Sequence, residues 1–382
     1  MASCSAPPAI SVLQRPPPLQ VVSLGFRTSR VKLSRTRYAA AASDCPPKRR
    51  LSRCLAASDS LAEEELSRAT LIWRAVKLPI YSVALVPLTV GSAAAYLQTG
   101  VFFGRRYLVL LAASVLIITW LNLSNDVFDF DTGVDKEKRE SVVNLIGSRS
   151  LTHIAAIASL TFGFFGLFWV SMEVGDIRSI LLLTCAIICG YIYQCPPFRL
   201  SYHGLGEPLC FAAFGPFATS AFYLSQSSKT LSGELCHLPL TGTILCSSFL
   251  VGLTTSLILF CSHFHQIDGD HAVGKLSPLV RIGTQTGSKL VKVAIVALYL
   301  LVFVLGFSKV LPPLATFLCA LTMPIGKAAV SFIEENHRDK FKIFMAKYFC
   351  VRLHTLFGVA LAAGLAGARA MAKLPVPRLI IS

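Results

Sequence analysis

Apolar residues in this chain gather into long runs instead of alternating with polar ones. Nine runs stand out, at roughly 75–97, 106–124, 151–172, 179–195, 208–226, 239–262, 289–308, 311–331 and 348–367. Each is about 17–24 residues long, and an α-helix of about 20 residues crosses the ~30 Å of hydrocarbon in a bilayer. Backbone groups in lipid must be hydrogen-bonded within the protein, and a helix meets that demand inside each segment. The pattern predicts an all-α membrane protein with about nine transmembrane helices. Pro312–Pro313 divides the eighth run from the seventh and reads as a tight turn. Pro79 and Pro87 fall in the first run and predict a kink there.

Polar residues collect in the connections, and three connections are unusual. NLSNDVFDFDTGVDKEKR (122–139) follows the second run, YQCPPFRLSYHGLGEP (193–208) the fourth, and HFHQIDGDHAVGKLSPLVRIG (263–283) the sixth. Loops after even-numbered runs are rich in Lys and Arg, among them Lys136, Lys138, Arg139, Arg199, Lys275, Arg281, Arg338 and Lys342. Loops after odd-numbered runs hold few: Arg105, Arg106, Arg178, Lys229 and Lys309. Arg105–Arg106 reads as a topology anchor. Basic loops stay on the side of synthesis, which places the even loops, all three polar clusters and the N-terminus together.

Composition supports the membrane reading and locates the charge. The 382 residues are 54% hydrophobic and only 15% charged, with a mean hydropathy of +0.62. The net charge of +16 comes largely from residues 1–58, which hold ten Lys or Arg against one acid, Asp44. A basic head on a membrane protein is no signature of nucleic-acid binding, and none is expected. Residues 1–58 are rich in Ser, Ala, Pro and Arg and lack an apolar core, which reads as a disordered organelle transit peptide of plastid type. Residues 59–382 then form the polytopic domain. The twelve cysteines form no CxxC pair and mostly sit in or beside apolar runs, as small buried hydrophobes.

The clusters carry chemistry. Helix geometry puts Asn122, Asn125 and Asp129 on one face with Asp126 beside them; Asp131 and Asp135 follow where Thr132–Gly133 loosens the helix. The third cluster offers Gln266, Asp268 and Asp270, with Gln266 and Asp270 sharing a face. Carboxylates this dense at a membrane need a counter-charge. Their hard oxygens suit Mg²⁺, which commonly bridges a few carboxylates to a substrate phosphate. Two acidic clusters converging on one cavity would hold Mg²⁺ against a diphosphate, with Lys275, Arg281, Lys138 and Arg139 meeting the remaining negative charge. Such a site favours ionisation of an allylic diphosphate. Aromatic faces such as Tyr191, Tyr193 or Phe128 would steady the carbocation. Asn122, Arg199 and Gln266 complete the substrate-binding candidates.

Plainer readings exist for each. The acidic run could be a solvated loop, and Tyr191 and Tyr193 interfacial belt residues. His263, His265 and His271 space poorly for zinc and read as structural or substrate-lining. Intramembrane carboxylates also mark ion paths, so a cation or solute carrier is the alternative from another class. A carrier places its charges near mid-bilayer, whereas these cluster at one face.

The pairing of NDVFDFDTGVD with QIDGDHAVGK four runs later resembles the UbiA superfamily of intramembrane prenyltransferases, over residues 70–370. Three details resemble its 1,4-dihydroxy-2-naphthoate branch: Asp135 ten residues after Asn125, the loop PPFRLSYHGLGEP, and GKLSPLVRIG. The resemblance implies nine helices around a central cavity opening to membrane lipid. It implies Mg²⁺ held by Asn125, Asp126, Asp129, Asp135, Asp268 and Asp270, with Asp129, Asp135, Asp268 and Asp270 catalytic. It implies transfer of a phytyl or other prenyl group from its diphosphate to 1,4-dihydroxy-2-naphthoate, with loss of CO₂, on the route to phylloquinone in a chloroplast membrane, with the motif loops in the stroma. Arg199, Lys275 or the His263–His265 pair would handle the lost carboxylate. Homogentisate prenyl transfer is the alternative within the superfamily. One departure stands out: Gln266 occupies a position where the second motif often has Asp.

Overall fold

A computed structural model of the chain describes residues 78–133, 141–229, 235–236 and 238–372. The leader expected at 1–58, and Asp135, Lys138 and Arg139, lie outside the described residues. A 3₁₀ turn, Leu78–Tyr81, leads into α1 (Ser82–Thr99), followed by α2 (Gly104–Thr132), the short α3 (Val142–Ile146), α4 (Arg149–Val174) and α5 (Ile177–Gln194). Next come α6 (Gly206–Ala212), a π-helical stretch Ala213–Thr219, and α7 (Ser220–Leu224). A two-stranded ribbon, β1 (Ser228–Lys229) antiparallel to β2 (Leu235–Cys236), leads to α8 (Gly242–Ser262) and the short α9 (Ile267–Ala272). The chain closes with α10 (Pro278–Phe307), α11 (Pro313–Ala320), α12 (Met323–Asn336) and α13 (Ala346–Ala372).

Among the described residues eight helices are long and apolar enough to cross a membrane, α11 and α12 counting as one. The ninth expected span, 208–226, is the α6–π–α7 segment, which is helical throughout but broken in register. Pro216 sits in the π stretch, where its missing N–H leaves a carbonyl free and a wider turn takes up the mismatch. α10 also differs from its apolar run. It begins at Pro278, eleven residues early, and is interrupted at Gly283 (φ 76°, ψ 164°), so its first turn and a half belong to the polar loop. Pro312–Pro313 makes the expected turn, with Pro313 opening α11.

Close helix packing rests on small residues, the usual means of association in lipid. A Cβ on Gly163 of α4 would lie 2.9 Å from Ile117 and 3.0 Å from the Ala113 carbonyl of α2. Gly358 and Gly364 of α13 meet Val86 of α1 and Ala315 of α11 in the same way. α2 is longer than a span requires. Its 29 residues extend about 43 Å, well beyond the ~30 Å of hydrocarbon, so its last turns carry polar groups past the apolar layer.

Candidate active site

One cavity of about 340 Å³ lies inside the bundle. Its wall is largely apolar, from residues such as Val83, Ile118, Leu183, Ile187, Phe214 and Ile258. Its polar lining comes from helix ends and loops on one side: Asn122, Asn125 and Asp129 of α2, Tyr193 and Gln194 of α5, and His263, His265, Gln266 and Lys275 around α9. The expected face of α2 therefore does point inward. Asn125 Nδ2 donates to Asp129 Oδ2 at 2.8 Å, which fixes the amide with its carbonyl oxygen free to act as a ligand.

The other acids of the first motif do different work. Asp126, 1% exposed, accepts from the Val142 amide at 3.0 Å and fastens the start of α3. It is not among the cavity-lining residues, its carboxylate turning instead to the backbone at the start of α3. Asp131 forms a two-pronged pair with Arg149, at 2.6 and 3.1 Å, closing the connection between α2 and α4.

The second motif divides similarly. Asp270 is 2% exposed; its Oδ1 lies 3.2 Å from Lys275 Nζ and its Oδ2 is buried without a hydrogen-bond partner. Lys275 lines the cavity, with Asp270 as its counter-charge. Asp268 sits on the outside, its side chain 71% exposed and paired with Lys340 at 3.0 Å. That placement differs from the metal-ligand role expected of it. Two residues apart on one helical turn, Asp268 and Asp270 cannot both face inward.

The aromatic and cationic candidates also separate. Tyr193 lines the cavity, while Tyr191, 43% exposed, faces outward against Phe198 and donates to the Pro196 carbonyl at 3.4 Å. Arg199 lies over the rings of Phe128 and Tyr202, with its Cζ 6.0 and 5.9 Å from their centroids. Arg281 is a fastener between loops: its guanidinium donates to the carbonyls of His203 and Leu276 at 2.8 and 3.2 Å. Gly204 permits that join. It has φ 78°, and a Cβ there would sit 2.9 Å from the Leu276 carbonyl. Cys195, just beyond α5, is buried, which pushes its thiol up to about 11 and keeps it protonated.

Two contributors were not among the expected site residues. Glu207, at the start of α6, pairs with His263: Nδ1–H donates to Oε1 at 3.1 Å. An acid inside the GLGEP stretch, ahead of an apolar run, was the signal in the sequence. Lys347 of α13 also lines the cavity, its Nζ 3.9 Å from the Phe344 ring centroid. It begins an otherwise apolar run and carried no motif.

Among the described residues no three His, Cys, Asp or Glu side chains converge on one point. The inward-facing oxygens are instead those of Asn125 and Asp129, and the buried Asp270, whose Oδ2 has no hydrogen-bond partner, stands beside the cavity-lining Lys275. That set does not suit zinc, but it fits Mg²⁺, which is usually held by one or two carboxylates and completes its shell with water and phosphate.

Comparison with known proteins agrees with this architecture. Residues 84–351 match the UbiA prenyltransferase family. The chain is 65% identical over 307 residues to an Arabidopsis thaliana protein named 2-carboxy-1,4-naphthoquinone phytyltransferase, chloroplastic, covering 80% of each chain. It is 40% identical over 308 residues to a Synechocystis protein named 2-carboxy-1,4-naphthoquinone phytyltransferase, covering 80% of this chain and 97% of that one. The fold resembles the apo structure of a UbiA homolog from Aeropyrum pernix K1, with a TM-score of 0.57 at 14% identity, covering 75% of this chain and 97% of that chain. With its helical bundle, its two acidic motifs and a family match over most of its length, the chain belongs to the UbiA prenyltransferase family.

Proposed function

We propose that this protein transfers a phytyl group from phytyl diphosphate to 1,4-dihydroxy-2-naphthoate, with loss of CO₂, in phylloquinone synthesis. The observation that carries the reading is a single cavity that joins Asn125, Asp129 and Lys275 to a long apolar wall. The substrate in the relatives' names, a 2-carboxy-1,4-naphthoquinone, is the oxidised form of this acceptor. Attack on an allylic cation needs an electron-rich ring, so the reduced dihydroxy form is the reactant.

Asn125 and Asp129 would hold Mg²⁺, with Asp270 the candidate of the second motif and Asp135 the candidate beyond the described residues. The ion, when bound, would supply charge neutralisation for the departing diphosphate. Lys275 meets the remaining phosphate charge and is kept in place by Asp270. Tyr193, which lines the same cavity, is the aromatic candidate to steady the developing positive charge. The apolar wall receives the isoprenoid tail and keeps water from quenching the cation. Residues 1–58 act as a chloroplast import leader, and the polar loops face the stroma.

The test uses membranes containing the full chain, phytyl diphosphate, 1,4-dihydroxy-2-naphthoate under reducing conditions, and Mg²⁺. The expected product is a prenylated naphthoquinol, lost when EDTA removes the metal. Prenylation of homogentisate in place of the naphthoate overturns the acceptor assignment.

A further inference from the structure

We propose that Glu207 and His263 form a base dyad that takes the proton from a hydroxyl of the aromatic acceptor. The inference rests on the decarboxylating transfer proposed above. His263 lines the cavity and is 3% exposed. Its Nδ1–H donates to Glu207 Oε1 at 3.1 Å, which fixes the ring's orientation and leaves Nε2 as the basic nitrogen. Glu207 is itself held in place. Its carbonyl accepts from Ser256 Oγ at 3.2 Å, and Gly206 before it packs against the Tyr193 ring, where a Cβ would approach to 2.9 Å. Glu207 Oε2 is buried with no hydrogen-bond partner. A buried carboxylate thus backs an imidazole that itself lines the cavity.

The chemistry balances without an added oxidant or reductant. Nε2 accepts the hydroxyl proton, and the oxygen's electron pair feeds the ring. The allylic C–O bond breaks, diphosphate leaving with its electron pair, and the ring carbon bearing the carboxylate then bonds to the cationic prenyl C1. The C–CO₂⁻ bond then breaks, CO₂ departs, and its pair restores the aromatic ring. The imidazolium returns the proton to the oxygen.

Other titratable groups face the same space. Asp129 comes from α2, Tyr193 from α5 and Cys210 from α6. His265 and Lys275 flank α9, and Lys347 and Tyr348 come from α13. A change in pH profile is therefore assigned to the dyad only by difference between wild type and variant. The experiment measures kcat of the full chain in membranes from about pH 6 to 9.5 under reducing conditions, for wild type, His263→Gln and Glu207→Gln. Losing general-base help costs about 10²-fold or more near neutral pH. A phenolic hydroxyl ionises near pH ~10, so the variant's rate should climb about tenfold per pH unit toward that value while the wild type stays flatter. KM for phytyl diphosphate should change less than about threefold. A variant profile parallel to the wild type, or a loss confined to donor KM, overturns the dyad and leaves the proposed reaction standing. Absence of wild-type product overturns the reaction and the dyad with it. Glu207→Gln preserves side-chain size and decides the matter alone if His263→Gln does not fold.

Discussion

Lys275→Met isolates the buried ion pair beneath the proposed diphosphate site. Asp270 and Lys275 are 3% and 16% exposed at their side chains, and their charged atoms are 3.2 Å apart. At an effective dielectric of about 20, that separation corresponds to an attraction of about 5 kcal/mol, offset by the cost of desolvating both groups. The net value of the pair is therefore small, but removing one partner is costly. Asp270 Oδ2 already lacks a hydrogen-bond partner, so the Met variant leaves a buried carboxylate with little compensation. A loss of about 3–5 kcal/mol is expected. The double variant Asp270→Asn/Lys275→Met removes both charges and should recover most of it. Thermal unfolding of the detergent-solubilised protein measures stability, and a double-mutant cycle extracts the coupling. The same proteins, assayed for transfer, separate stability from function: the double variant should be stable yet have a donor KM raised tenfold or more. If Lys275→Met is as stable as wild type, the buried pair is not as drawn. If the double variant binds donor normally, Lys275 does not meet the diphosphate.

The same geometry sets further expected outcomes. Asp129→Ala should lower Mg²⁺-dependent transfer at least about 10³-fold while the protein stays folded, as checked by product assay and thermal melting; full activity would remove its ligand role. Asp268→Ala, which removes an exposed pair worth under about 1 kcal/mol, should cost far less activity than Asp270→Ala in the same assay. Arg281→Ala frees two loop carbonyls from its guanidinium and should raise donor KM while lowering stability by about 1 kcal/mol, read from initial rates and melting. Gly215→Ala would place a Cβ 2.7 Å from the Ser248 carbonyl and 2.9 Å from Gly252 Cα; such overpacking should lower stability by about 1–3 kcal/mol, read as a lower unfolding midpoint.

The hydrophobic runs by themselves determined that the chain is a helical bundle in a membrane, and roughly where eight of its helices lie. A span must be apolar over a fixed length, so this feature is written locally and survives without tertiary knowledge. The face formed by Asn122, Asn125 and Asp129 was readable for the same reason, since a helix fixes angular spacing along the chain. Angular spacing alone did not say which acids serve the cavity. Asp126 and Asp131 turn to the Val142 amide and to Arg149, and Asp268 turns to Lys340, because each met a partner that is distant in sequence. The break in α6–π–α7 and the early start of α10 were likewise decided by packing, since apolar composition does not record helical register. Most of all, the pairing of Glu207 with His263 joins residues 56 positions apart. In sequence the first stands just before the run 208–226 and the second just after 239–262; only the folding of α6 against α8 brought carboxylate and imidazole together.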